Sequence, residues 1–133
     1  MNNEMKFSDA LSPITEVVIG SAIRVHRELG PGLLESAYEA CLAYELTEAG
    51  FLVERQKPLP VTYKGVQLDC GYRLDLVVEN RIILELKAVD KLSPLHEAQL
   101  LSYLKLSGIS LGYLMNFHTD LMKNGIRRIV NNY

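Results

Sequence analysis

Two carboxylates and an amine stand where an apolar interior is expected. Asp75 lies within Arg73-Leu74-Asp75-Leu76-Val77-Val78, and Glu85 and Lys87 lie within Ile82-Ile83-Leu84-Glu85-Leu86-Lys87-Ala88-Val89. Both runs have the aliphatic, β-branched composition of strands. An ionised group in a half-buried strand is costly unless paired or metal-bound, so three of them together point to a site. Side chains alternate along a strand, which puts Glu85 and Lys87 on one face. Carboxylate oxygens with no thiolate or imidazole beside them in sequence suit magnesium, or manganese, better than zinc; magnesium keeps several waters and takes further oxygens from a phosphate. Lys87, about 6.6 Å along the strand from Glu85, would orient or polarise an attacking water and stabilise developing negative charge. These are the parts of metal-assisted phosphodiester cleavage.

The connection between the two runs decides whether the acids meet. A two-residue turn at Glu79-Asn80 sets Asp75 against Leu84 and leaves the carboxylates on opposite faces. A three-residue turn, Glu79-Asn80-Arg81, sets Asp75 against Glu85. Three-residue loops usually need a residue in the left-handed region, which Asn80 tolerates, so the longer turn is expected. Carboxylates so opposed, with alpha carbons roughly 4.5–5.5 Å apart, repel unless a cation lies between them. The competing reading is an edge-strand ion pair of Glu85 or Asp75 with Arg73 or Lys87, of the modest kind found on surfaces. Glu-x-Lys alone is a weak signal, since Glu4-Met5-Lys6 has the same spelling in a polar stretch. The aliphatic setting is what distinguishes the second copy.

The elements that must position these residues are marked by caps and breakers. Ser12-Pro13 signals a helix start, with Ser12 as cap and Pro13 in the first turn, and Ile14, Val17, Val18, Ala22, Val25 and Leu29 follow at helical spacing. Residues 1–11 are expected to be flexible. Gly30-Pro31-Gly32 stops this helix, and a second from about Leu33 to Gly50 carries Leu34, Ala37, Tyr38, Cys41, Leu42 and Leu46, so the two should form a hairpin. Strands are expected over Phe51–Gln56, over 61–63 and 66–68 around Lys64-Gly65, and over the two site runs. Ser93-Pro94 caps a third helix reaching about Leu106 and closed by Gly108. Leu111–Phe117 has strand character, and Ile126–Val130 is a short final strand or helix. The fold class is α/β: a mixed central sheet flanked by helices, with an N-terminal helical hairpin.

At 133 residues and 48% hydrophobic composition the chain makes one domain with a single core, residues 1–133. A net charge of −2 gives no broad basic footprint and counts against tight nonspecific duplex binding. Cys41 and Cys70 are widely separated, which signals neither a zinc site nor a disulfide framework, and both are expected as reduced thiols. Neither a secretory h-region nor a run of about 18 apolar residues is present, so a cytoplasmic protein with no membrane partner is expected.

Other motifs narrow the chemistry. Gly30-Pro31-Gly32-Leu33-Leu34-Glu35 starts like a dinucleotide fingerprint, but the third glycine is Glu35 and a helix precedes it. Glu35 either stabilises its helix through the dipole or reaches the metal as a further acid. His96, Gln99 and Tyr103 share one face of the third helix, which is either laid against the site or an exposed polar stripe. In the first case Gln99 could hydrogen-bond a metal water or a phosphate. Tyr38 reads as a core aromatic with its hydroxyl near the surface. The three histidines show no zinc spacing, and neither a Walker A loop nor a G-x-S-x-G elbow is present.

The segment Gly32-Leu33-Leu34-Glu35-Ser36-Ala37-Tyr38 resembles the defining motif of the GxxExxY family, with all three named positions present. Val25-His26-Arg27-Glu28-Leu29-Gly30-Pro31, Arg73-Leu74-Asp75-Leu76, Glu85-Leu86-Lys87-Ala88 and the stretch from His96 to Lys105 resemble it as well, over about residues 14 to 131. That family is grouped with the PD-(D/E)xK nuclease-like superfamily, so the resemblance implies a restriction-endonuclease-like core. It further implies Asp75 and Glu85 as metal ligands, Lys87 as the catalytic lysine, Glu35 as the helix acid and Gln99 as the helix glutamine. The superfamily's proline–aspartate pair is not preserved, since Leu74 precedes Asp75.

The combined reading is a Mg2+-dependent hydrolase acting on phosphodiester bonds of nucleic acid, DNA or RNA, with Mn2+ able to replace the ion. Arg73, His96 and Tyr103 are candidates for substrate contact. The alternative is a catalytically silent nucleic-acid-binding or protein-interaction module on the same fold, in a larger complex or as a homodimer. A third reading is a phosphodiesterase of small nucleotides. Fold membership leaves this choice open.

Overall fold

The computed structural model describes residues 3–131, with side chains over residues 13–131. Helix α1 (Asn3–Leu29) turns back through Gly30-Pro31-Gly32 into α2 (Glu35–Glu48). Strand β1 (Val53–Pro58) follows, then the short pair β2 (Val61–Tyr63) and β3 (Val66–Leu68), then β4 (Arg73–Val78) and β5 (Ile82–Lys87). Helix α3 (Pro94–Ser107) leads to β6 (Leu111–Asn116), and a single 3₁₀ turn (Met122–Gly125) leads to β7 (Ile126–Val130). The main sheet has the order β1-β4-β5-β6-β7, while β2 and β3 pair only with each other. Only β5 and β6 run parallel, and α3 is the crossover such a pair requires.

The sheet is covered on both faces, which is why β5 reads as a nearly unbroken apolar run. On one side Leu76, Val78, Ile82 and Leu84 join Val18 and Ala22 of α1 and Leu42 and Leu46 of α2. On the other, Val77, Ile83 and Leu114 meet Leu100 and Leu104 of α3. Gly112 permits the close approach of α3, since a Cβ there would lie 3.1 Å from a Leu100 methyl and 3.3 Å from the Ile83 carbonyl oxygen. Ser93 caps α3 by accepting from the His96 N–H, and Gly108 closes it at φ 77°.

Three expectations need correction. Helix α1 starts at Asn3, not Ser12, and contains Pro13 within it. Glu4, Met5, Lys6, Ala10 and Leu11 are good helix formers, and a proline already has a helical φ, so its cost is the missing N–H and the crowding of its ring against the carbonyl four residues back. The Ser12 side chain lies outside the described residues, as do Met1 and Asn2. Strand β1 begins at Val53 because Phe51 still serves α2, donating its N–H to the Leu46 carbonyl. Finally, the Tyr38 hydroxyl is not near the surface: the residue is fully buried, its ring stacked on Phe117 at 4.5 Å.

Candidate functional site

The β4–β5 hairpin pairs Val78 with Ile82, Val77 with Ile83 and Leu76 with Leu84. This register leaves Glu79-Asn80-Arg81 as a three-residue loop and carries Asp75 opposite Glu85. Asn80 takes the expected left-handed conformation, and so does Glu79, both at φ 54°. Glu79 is held there by Leu52, to whose carbonyl it donates its N–H at 2.8 Å while its carboxylate accepts the Leu52 N–H.

Beyond Leu76 and Leu84 the backbone ladder between the two strands stops. The Asp75 N–H donates to Glu85 Oε2 at 2.9 Å, and the Leu86 N–H donates to Asp75 Oδ2 at 2.8 Å. Each carboxylate thus satisfies an amide of the opposite strand that would otherwise be unpaired. Glu85 to Lys87 continue to pair with Leu114 to Asn116 of β6. Asn116 ties the two following loops together, its side chain bonding both the N–H and the carbonyl of Val89 and accepting the His118 N–H.

Strand alternation breaks at the same level. Leu76 and Val78 face the α1–α2 side, whereas Leu74 joins the α3 side. On β1, Gln56 falls between the pairs Arg55–Leu76 and Lys57–Leu74, opposite Asp75, and sits at φ 50°. Its side-chain amide donates to Glu39 Oε1 at 2.5 Å and to Asp75 Oδ1 at 3.3 Å, while Arg55 Nε donates to Glu39 Oε2 at 3.2 Å. Glu35, at the exposed start of α2, accepts the Ala88 N–H at 3.3 Å from 53 residues away. Glu35, Ser36, Glu39, Gln56, Asp75 and Leu86 line a cleft of ≈ 390 Å³. A larger cavity, ≈ 490 Å³, lies at the Gly30-Pro31 turn, but Asp120 is its only acid. The chemistry, not the volume, singles out the first.

Glu39 and Gln56 were missed in the sequence reading. Glu39 is 7% exposed. A signal existed: Glu39, Leu42, Ala43 and Leu46 repeat at the spacing of a buried helical face, and all four are buried. No local signal marks Gln56.

Of the remaining residues singled out by sequence, Tyr103 is nearly buried, with its ring 5.8 Å from that of Tyr72. Burial pushes its phenol up, the charges of Glu85, Tyr72 and Asp75 add to this, and a hydrogen bond from the exposed Gln99 opposes it. This part of α3 therefore lies beside the acids. His96 is used elsewhere, its Nδ1 accepting the Ser93 N–H at 3.1 Å to complete a capping box. Arg73 is directed to the Tyr72 carbonyl and, at 3.8 Å, to Asp69. Among the described residues neither Asp75 nor Glu85 forms an ion pair, so the edge-strand pairing with Arg73 or Lys87 is not present.

Burial raises the Glu85 carboxyl to about 8, with the Asp75 charge adding to the effect and the Asp75 N–H and Lys87 opposing it. Asp75 is raised too, first by burial and then by Glu39, against the Leu86 N–H, Gln56 and Lys87. Both shifts favour the neutral acid, and in each of them burial outweighs the neighbouring charges.

A family model, the PD-(D/E)XK nuclease superfamily, matches residues 12–129. The chain belongs to the PD-(D/E)XK nuclease superfamily. The five-stranded mixed sheet with helices on both faces agrees with that fold. No curated protein and no solved structure matches the chain. Nucleases of the superfamily generally use divalent metals. The donor set here fits one in kind: two crowded carboxylates are the usual protein share of a magnesium site, and with one oxygen of each on a backbone amide, Glu85 Oε1 can face an ion, as can the remaining lone pair of Asp75 Oδ1, which also accepts from Gln56. Among the described residues no three acidic, histidine or cysteine side chains form a ready-made cage, so further ligands would be water or substrate oxygens.

Proposed function

We propose that the protein is a Mg2+-dependent hydrolase cleaving phosphodiester bonds of nucleic acid in the cytoplasm, within the GxxExxY branch of its superfamily. The observation that carries this reading is the reciprocal pair at the open end of β4–β5, where Asp75 and Glu85 meet without an ion-pair partner among the described residues. In this reading Asp75 and Glu85 hold the ion, Mn2+ being able to replace Mg2+, and Glu35 assists from α2 through a water of the ion, since among the described residues the three acids do not form a direct cage. The ion, when bound, supplies positive charge to the phosphate and an acidified water. Lys87 orients the attacking water and stabilises developing charge. Gln99 positions the substrate with Tyr103 beside it, Arg73 stands at the exposed entry to β4, and His96 has Nε2 left for a contact.

The GxxExxY assignment is supported by how its named positions work together. Gly32, at φ 107°, makes the turn. Tyr38 anchors it, donating its hydroxyl to the Gly30 carbonyl at 2.6 Å and accepting the Leu33 N–H at 3.1 Å. Glu35 is thereby delivered to the strand end that carries Lys87.

The test is cleavage of single-stranded and duplex DNA and RNA in millimolar magnesium. Wild type should cut at least one of them, and Lys87→Ala should not while keeping its circular dichroism; unchanged cutting would remove the lysine from the mechanism. Calorimetry should show Mn2+ binding that Asp75→Asn abolishes. No binding at millimolar ion would favour the silent module instead.

A further inference from the structure

Strand β1 does what a regular strand cannot. Arg55 and Gln56 are consecutive, so in a pleated strand they point to opposite faces. Both nevertheless donate to Glu39. The left-handed backbone of Gln56, at φ 50°, makes this geometry accessible, and non-glycine residues hold that conformation only where their surroundings over-determine it. The same amide group also donates to Asp75 Oδ1. A primary amide has two N–H donors and no charge, so it can serve two carboxylates at once while neutralising neither. An arginine or lysine in its place would compete with a cation, and a carboxylate would add repulsion.

We infer that Gln56 is a positioning residue of the site, linking Asp75 to the anchored Glu39 and holding the Asp75 carboxylate in its orientation. The chain of donors is continuous: Arg55 fixes Glu39 from one side, Gln56 joins Glu39 to Asp75, and the Leu86 N–H holds the remaining Asp75 oxygen. Glu39 thus positions Asp75 through Gln56, besides repelling it directly. This inference rests on the metal-hydrolase reading, because it assigns Gln56 a part in presenting Asp75 to a divalent ion.

Mn2+ binding to the 133-residue chain, followed by electron paramagnetic resonance and calorimetry, tests it without requiring turnover. Gln56→Gly keeps the left-handed backbone and deletes the amide. It should weaken Mn2+ binding about tenfold while the melting temperature stays within a few degrees. Gln56→Asn also tolerates the left-handed region but is too short to span both carboxylates; it should show the same loss, and serves if the glycine variant loosens the strand. In a Glu39→Ala background, which deletes the acceptor, Gln56→Gly should cost less than about threefold, since the two position Asp75 through one link. Wild-type affinity in both Gln56 variants, or an additive double mutant, would overturn the inference. If Asp75→Asn abolishes binding while the Gln56 variants bind normally, the hydrolase reading stands and the role of Gln56 falls. If wild type binds no Mn2+ at millimolar concentration, both fall.

Discussion

Two hairpins in this chain invert the ordinary rule of burial in opposite directions. The β2–β3 hairpin turns at Lys64-Gly65, with both residues at positive φ, and pairs Tyr63 with Val66 and Val61 with Leu68. Its apolar pairs are in the open: Tyr63 is 60% exposed and Val66 56%. The β4–β5 hairpin turns through positive-φ residues too, yet hides Glu85 at 5% exposure. What separates them is neighbourhood. Strands β4 and β5 have β1 and β6 on their flanks and helices on both faces, whereas β2 and β3 have only each other. Burial follows a strand's place in the sheet, and an ionisable side chain is accommodated inside where the ladder opens and its oxygens take up the unpaired amides.

Four measurements would break or sharpen this contrast. The largest effect is expected at Lys87: alanine there should lower kcat about 10²–10³-fold, the range typical of removing one group that stabilises transition-state charge. A loss under threefold in steady-state cleavage would mean that the charges of the buried hairpin do no more than surface charges. Next, Leu84→Ala should lower the free energy of unfolding in urea by about 2–5 kcal/mol, since this fully buried side chain leaves a cavity.

The pH dependence comes third. Glu85 has a folded-state value of about 8 against an ordinary 4.5, so the folded state holds more protons than the unfolded state between these values. Metal-free protein should therefore lose stability as pH rises from about 4.5 through 8, with a slope approaching 1.4 kcal/mol per pH unit from this group. Glu85→Gln should flatten the slope and raise the melting temperature at pH 8. An equal slope in both proteins would show that Glu85 is not the group responsible. The smallest effect is expected at Val66→Ala on the exposed hairpin, within about 0.5 kcal/mol. A cost above 1.5 kcal/mol would reveal that this hairpin has a packing partner.

Most elements were legible because punctuation marks them. Ser93-Pro94 and Gly108 bracket α3, Lys64-Gly65 makes the small turn, and Asn80 indicated the loop that sets Asp75 opposite Glu85. What escaped was non-local. Gln56 is an ordinary polar residue in sequence, and its left-handed backbone makes sense only with Glu39 and Asp75 around it, from 17 and 19 positions away. Glu39 is legible from its helical spacing with the buried Leu42 and Leu46, one turn after the Glu35 of the named motif. The start of α1 is not legible from Ser12-Pro13, because a proline that suits a first turn is also tolerated farther in.

The opening of the hairpin ladder past Leu84 has a mechanical consequence. From Glu85 to Lys87 the regular backbone pairing comes from β6 alone, a strand without a charged side chain. The stiffness with which Lys87 is held is therefore set by a neighbour that carries no charge, and anything that loosened β6 would shift Lys87 while leaving Asp75 in place.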